Sequence, residues 1–237
     1  MAFILNDSTI FGIELNVLDV YVLSAGSNKP KKWDVLITKW RLLKGLATQR
    51  DISLAAGVGD IEVIELLHKS IPWNVEATYY AAEYGQLETL KYLHENGCPW
   101  NSNTCARAAG KGHLDCLIYL HENGCPWDLL TCIHSAATGQ LDCLVYALSN
   151  GCDGSFVCQI AATFGHLNCL VYGHQNNCPW DERTCATAAK NGHLDCLIYA
   201  IDNGCLWDER ICETQHEDVM EYLRAEGICT HFLGSYL

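Results

Sequence analysis

A glycine returns at a nearly constant interval along most of this chain. Gly59, Gly85, Gly112, Gly139, Gly165 and Gly192 stand 26, 27, 27, 26 and 27 residues apart. Paired alanines precede it at Ala81-Ala82, Ala108-Ala109, Ala161-Ala162 and Ala188-Ala189, while LETLKYLHENGCPW, LDCLIYLHENGCPW, LNCLVYGHQNNCPW and LDCLIYAIDNGCLW follow it. Self-similarity at one such period marks a repeat architecture, whose units cannot bury their apolar faces alone and must stack.

Within a unit the apolar residues after the glycine fall at the period of a helix, as at Leu114, Cys116, Leu117, Tyr119 and Leu120. Asn123-Gly124 then ends it, because both residues tolerate a left-handed backbone. The alanine-rich segment before the glycine predicts a first, short helix, with Thr104, Thr131 and Thr184 either as its N-caps or one residue inside it. Six units are expected over residues 51–212, and a partial capping unit over 213–237, where VMEYLRAEGI copies the second half of the pattern. Residues 1–50 are expected to form an N-terminal cap, with a degenerate unit ending at Gly45; residues 1–28 match nothing in the repeat.

With 237 residues, 49% hydrophobic and 18% charged, the chain carries enough apolar side chains for a continuous core, which excludes disorder, collagen and coiled coil. No apolar run reaches the roughly 18 residues of a membrane span, and the first residues lack a basic leader, so a protein that is neither exported nor membrane-bound is expected. The net charge of −13 is uneven: residues 1–50 hold seven Lys/Arg against four Asp/Glu, and 51–237 hold eight against twenty-four. Such an acidic body repels phosphate backbones, so nucleic acid and anionic membrane are poor partners. Lys29, Lys31, Lys32, Lys39, Arg41 and Lys44 read as the solvated side of a helix.

The unit resembles an ankyrin repeat in its paired alanines, its Gly-His turns at Gly112-His113, Gly165-His166 and Gly192-His193, and the glycine twelve residues after the turn. The resemblance covers residues 51–212. It implies an all-α, ankyrin-like helix-turn-helix solenoid with trimmed inter-repeat loops, since the usual period is about 33 and only CPWD or CPWN stands where the family projects a hairpin. The short Cys- and Trp-rich form is similar to arrays of large DNA viruses and protists, which implies an intracellular, cytoplasmic protein with reduced thiols, in the host cytoplasm if viral. A leucine-rich repeat also has a period near 27, but its asparagine would be one residue late and it would leave the alanine-rich helix unplaced.

Fifteen cysteines are present, and fourteen occupy three repeat positions. Cys105, Cys132, Cys158, Cys185 and Cys212 lie seven before the glycine or in the equivalent C-terminal slot; Cys116, Cys143, Cys169 and Cys196 lie four after it; Cys98, Cys125, Cys152, Cys178 and Cys205 lie thirteen after it. Only Cys229 falls outside. These are apolar positions of the unit, so the thiols read as small buried hydrophobes, and equivalents in adjacent units are too far apart for disulfides. Zinc is the competing reading, through His113/Cys116, His166/Cys169 and His193/Cys196, but no paired Cys-x-x-Cys completes a four-ligand site. Each Pro-Trp pair is expected to fold its tryptophan over the helix ends. His94, His121 and His174 read as structural, and Asp153-Gly154 marks an irregular fourth unit. No nucleophile-base pair or phosphate loop stands out, so no enzyme, no cofactor and no small-molecule substrate are expected.

In a repeat array the constant residues build the core and the variable ones meet the partner. The variable slots lie five, two and one residues before the glycine, and place Tyr80, Tyr84, Arg107, Lys111, His134, Phe164, Thr187 and Asn191 on the side that ankyrin proteins turn to ligands. The expected function is non-catalytic binding of a protein partner of unknown identity by a monomer. Two alternatives stand beside it: a ubiquitin-ligase substrate adaptor recruiting through residues 1–50, although the Leu-Pro opening of an F-box is absent, and a Cys-rich redox- or metal-responsive protein.

Overall fold

The computed structural model describes residues 32–229 and, ahead of them, a two-residue ladder in which Thr9 pairs with Glu14 and Ile10 with Ile13. The rest of the expected cap over residues 1–28 lies outside the described residues. Apart from that ladder, every regular element among the described residues is helical, as the repeat predicts. The chain packs as two compact units, Met1–Thr104 and Cys105–Leu237.

The first unit holds α1 (Lys32–Leu43), α2 (Gln49–Val58), α3 (Ile61–His68), α4 (Val75–Glu83) and α5 (Leu87–Glu95). Helices α2 and α4, the alanine-rich members, pack side by side, and each also packs on the helix that follows it. Ala55, Ala56, Ala81 and Ala82 are fully buried between them. Helix α1 closes on Gly45 (φ +67); Leu46 N–H donates to the Arg41 carbonyl, as Cys98 N–H donates to Leu93 at the end of α5. The basic face expected on α1 is not simply solvated. Arg41 reaches Asp51 at 3.4 Å, and that carboxylate is buried because it also accepts from Thr48 N–H at 2.8 Å as the capping box of α2.

Helix α6 (Ser102–Gly110) contains the boundary. The second unit continues with α7 (Leu114–Glu122), α8 (Leu129–Ala137), α9 (Leu141–Ser149), α10 (Val157–Phe164), α11 (Leu167–Gln175), α12 (Glu182–Lys190), α13 (Leu194–Asp202), a 3₁₀ turn (Glu209–Glu213) and α14 (Glu217–Ala225). Helices α8, α10 and α12 pack in series, and so do α7, α9, α11 and α13. One apolar cluster runs through this unit from Cys132 to Cys229.

The caps differ from the sequence reading. Asp128 and Asp181 cap α8 and α12, each accepting a backbone N–H two residues on at 2.9 Å, and Asn101 does the same for α6 at 3.0 Å. Thr131 and Thr184 sit three residues further in, fully buried, their hydroxyls without a hydrogen-bond partner. Thr104 is buried at the same register. The last residue of CPWD or CPWN, not the threonine, is therefore the cap.

Where a glycine closes a second helix it carries the left-handed backbone by itself: Gly124 has φ +78 whereas Asn123 has φ −100. Asn123 instead turns its amide back onto the Tyr119 carbonyl at 2.8 Å. In the unit where Asn177 replaces that glycine, it takes φ +60.

Candidate partner-binding surface

Where a repeat carries both a histidine in its second helix and a tryptophan in its loop, the two rings stack. His68 and Trp73 lie 3.5 Å apart at 8° in the first unit, and His121–Trp127 (3.8 Å, 13°) and His174–Trp180 (3.8 Å, 18°) repeat this in the second. The next repeat then supplies a tyrosine edge: Tyr146 hydroxyl is 2.8 Å from His121 Nδ1, and Tyr199 hydroxyl 2.9 Å from His174 Nδ1. These tryptophans thus lie on histidines rather than simply over helix ends. The sixth unit keeps Trp207 with Ile201 in the histidine slot, and the irregular fourth has neither residue. Leu148 stands in the histidine slot and Gly154 in the tryptophan slot, and a Cβ at Gly154 would lie 2.8 Å from Leu148 and 2.6 Å from Cys178 Sγ.

The turn histidines bind backbone. His166 Nε2 donates to the Ala137 carbonyl at 3.2 Å and His193 Nε2 to Thr163 at 3.1 Å, each ring crossing the glycine of the preceding turn. Cys169 and Cys196 lie buried beneath. Among the described residues no group of three or more His, Cys, Asp or Glu could hold a metal ion.

One thiol expectation is corrected. Cys212 and Cys229, read as a packing residue and an outlier among reduced thiols, are joined by a disulfide with Cα atoms 5.9 Å apart. The last unit is shortened after Asp208, and the bond joins the end of its 3₁₀ turn to the segment that follows α14. The other cysteines are free and buried.

The expected binding residues occupy the ends of the first helices. In the first unit Tyr80 and Tyr84, one helical turn apart on α4, have ring centroids 6.1 Å apart and are half-buried. In the second unit His134 packs across Gly110, where a Cβ would meet its side chain at 3.0 Å. Burial and the neighbouring Arg107 charge hold His134 below the ordinary histidine range, against a backbone hydrogen bond at Ala106 and the Asp128 carboxylate. Lys111 and Asn191 are exposed, and Phe164 is 53% exposed. Thr187 donates to its own helix at Arg183, and Asn191 donates to the Thr187 carbonyl, both at 2.9 Å. The structure therefore brings Arg107 and His134 together, presents Phe164 outward, and turns Thr187 and Asn191 back on their helix.

Residues 78–158 match the profile of the family described as ankyrin repeats (3 copies). Among solved structures the human ASB11 ankyrin repeat domain is similar, with a TM-score of 0.56 and 17% identity over 65% of this chain and 84% of that one. No curated protein matches the sequence. Among the described residues no helix is long and apolar enough to cross a membrane.

Proposed function

We propose, from the premise that this chain is an ankyrin-repeat protein, that it is a non-catalytic scaffold binding a protein partner through the exposed ends of its first helices. Ankyrin repeats generally mediate protein–protein interaction. One observation carries the reading further: the repeat's constant positions are buried, whereas the slots five and one before each turn glycine hold differing, solvent-reaching side chains. Tyr80 and Tyr84 in the first unit, and Arg107, Lys111, His134 and Phe164 in the second, supply aromatic and cationic groups of the kind that dominate binding hot spots. Thr187 and Asn191 are peripheral, since their polar atoms already serve their own helix. Arg107 and Lys111 place positive charge on this face, in a chain whose net charge is −13, and an acidic segment of the partner is their natural complement.

The test is affinity capture from the source cells with tagged wild-type chain and a Tyr84→Ala/Arg107→Ala/Phe164→Ala variant, followed by direct binding of the recovered protein. The variant is expected to lose the partner and keep its thermal melt. Undiminished binding removes this surface from consideration.

A further inference from the structure

The two helix layers of the second unit carry opposite charge. In the layer of α7, α9, α11 and α13 the only Lys, Arg, Asp or Glu residues are Asp115, Glu122, Asp142, Asp195 and Asp202, all anionic. The layer of first helices reverses the sign. Helix α6 brings Arg107, followed by Lys111; α8 and α10 hold no Lys, Arg, Asp or Glu; and α12 brings Arg183 and Lys190. The one carboxylate on these helices, Glu182, faces Arg210 at 3.6 Å. Those just ahead of them, Asp128, Asp153 and Asp181, each accept a backbone N–H at 2.9 Å. Lys111, Arg183 and Lys190 are exposed and Arg107 is half-buried.

Between the two cationic helices the face turns apolar. Leu130 on α8, and Phe156, Ile160 and Phe164 along α10, stand at the register positions that Arg183, Thr187 and Asn191 take on α12. The two phenylalanines are 46% and 53% exposed, and apolar side chains left in water between polar ones mark a contact surface. The helix ends follow one another in order, since Thr138 Oγ1 donates to the Gly110 carbonyl at 2.9 Å, His166 Nε2 to Ala137 and His193 Nε2 to Thr163. Packed helices lie about 8–10 Å apart, so three steps set α6 and α12 roughly 24–30 Å apart.

We propose that this strip takes an extended peptide segment of the partner, with apolar side chains at its centre and carboxylates at both ends, the ends about seven to nine residues apart. This rests on the face being the partner surface, and adds what the partner presents to it. The central side chains cover Leu130, Phe156, Ile160 and Phe164; one acidic end meets Arg107 and Lys111, the other Arg183 and Lys190. A basic segment is repelled at both ends, and a wholly acidic one leaves the apolar centre in water. A helix would need roughly 16–20 residues to join the same two ends.

The experiment selects phage-displayed random peptides of about twelve residues, too short to span the strip as a helix, on the immobilised full chain. Enriched sequences are then synthesised with a fluorophore and their binding is measured by anisotropy. They are expected to carry Asp or Glu at both ends of an apolar centre, and to bind about tenfold more weakly in high salt. Phe164→Ala is expected to weaken them at least about fivefold, and Arg107→Gln/Lys111→Gln and Arg183→Gln/Lys190→Gln about threefold or more each. Replacing the carboxylates of one peptide end by amides is expected to abolish sensitivity to one cation pair and keep the other. Circular dichroism checks the fold of each variant, and the amide peptides read the same charges on the unaltered chain. Enriched peptides without carboxylates, or binding indifferent to both cation pairs, overturn the proposal; if Phe164→Ala still weakens them, the partner face stands without it. Binding indifferent to Phe164→Ala as well overturns both. No enrichment overturns the peptide assignment alone, because capture of the natural partner tests the face independently.

Discussion

Trp127 lies on His121 with ring centroids 3.8 Å apart and planes 13° from parallel, and Tyr146 of the following repeat closes on both. The trimmed loop is thereby held by a side chain of its own repeat, and one repeat is tied to the next through a tyrosine edge. Aromatic pairs of this kind contribute about 0.5–1.5 kcal/mol beyond their buried area. In a His121→Ala, Trp127→Ala double-mutant cycle, followed by urea unfolding, the coupling is expected to fall in that range. A coupling indistinguishable from zero would show that the stack is incidental to stability.

Two turn glycines separate backbone strain from side-chain crowding. Gly124 (φ +78) has nothing within 4 Å of a built Cβ, whereas at Gly139 (φ +71) that atom would lie 2.7 Å from His166 Nδ1. Gly124→Ala is expected to destabilise by about 1–2 kcal/mol from the left-handed backbone alone. Gly139→Ala is expected to lose a further 1–3 kcal/mol or so from overpacking, and in a His166→Ala background its penalty should fall to that of Gly124→Ala. Equal penalties in the wild-type background would mean the histidine swings aside freely.

The capping assignment makes opposite forecasts for neighbouring residues. Asp128→Ala removes the acceptor of Leu130 N–H and is expected to lose about 1 kcal/mol. Thr131→Val replaces a buried hydroxyl that has no partner with a methyl group of similar shape, and is expected to be neutral or stabilising by up to about 1 kcal/mol. Chemical denaturation of both variants checks the pair, and a destabilising Thr131→Val would restore threonine as the cap.

His134 makes stability depend on pH. Its pKa in the fold is lowered, by burial first and Arg107 second, so between that value and about 6.5 the unfolded chain binds more protons than the native one. Stability is therefore fully present above about pH 6.5 and declines as pH falls through the window. Thermal melts between neutral and mildly acidic pH should show a steeper loss for wild type than for His134→Gln. Parallel pH profiles would count against any role for this residue.

Much of the architecture was legible because it is written locally. A turn glycine announces itself by a backbone that other residues rarely adopt, and Leu117, Leu120 and Ala108 declare a helix face by spacing alone. The variable slots were legible on the same register, although whether a side chain there is spent on its own helix, as at Asn191, or presented outward, as at Phe164, was not. The N-cap was misread because Thr131 and Asp128 are both good capping types, and only the position of the helix start separates them.

By itself the sequence determined the period, the helix pairs and the burial of their constant positions, because helical spacing and glycine backbone preferences act over a few residues. Tertiary structure alone decided which side chains meet across longer separations: tyrosine on the previous repeat's histidine, histidine on the previous turn's carbonyl, and Cys212 on Cys229. Those contacts arise where separate helices come within a side chain's reach, a distance that stacking sets and that no local pattern encodes.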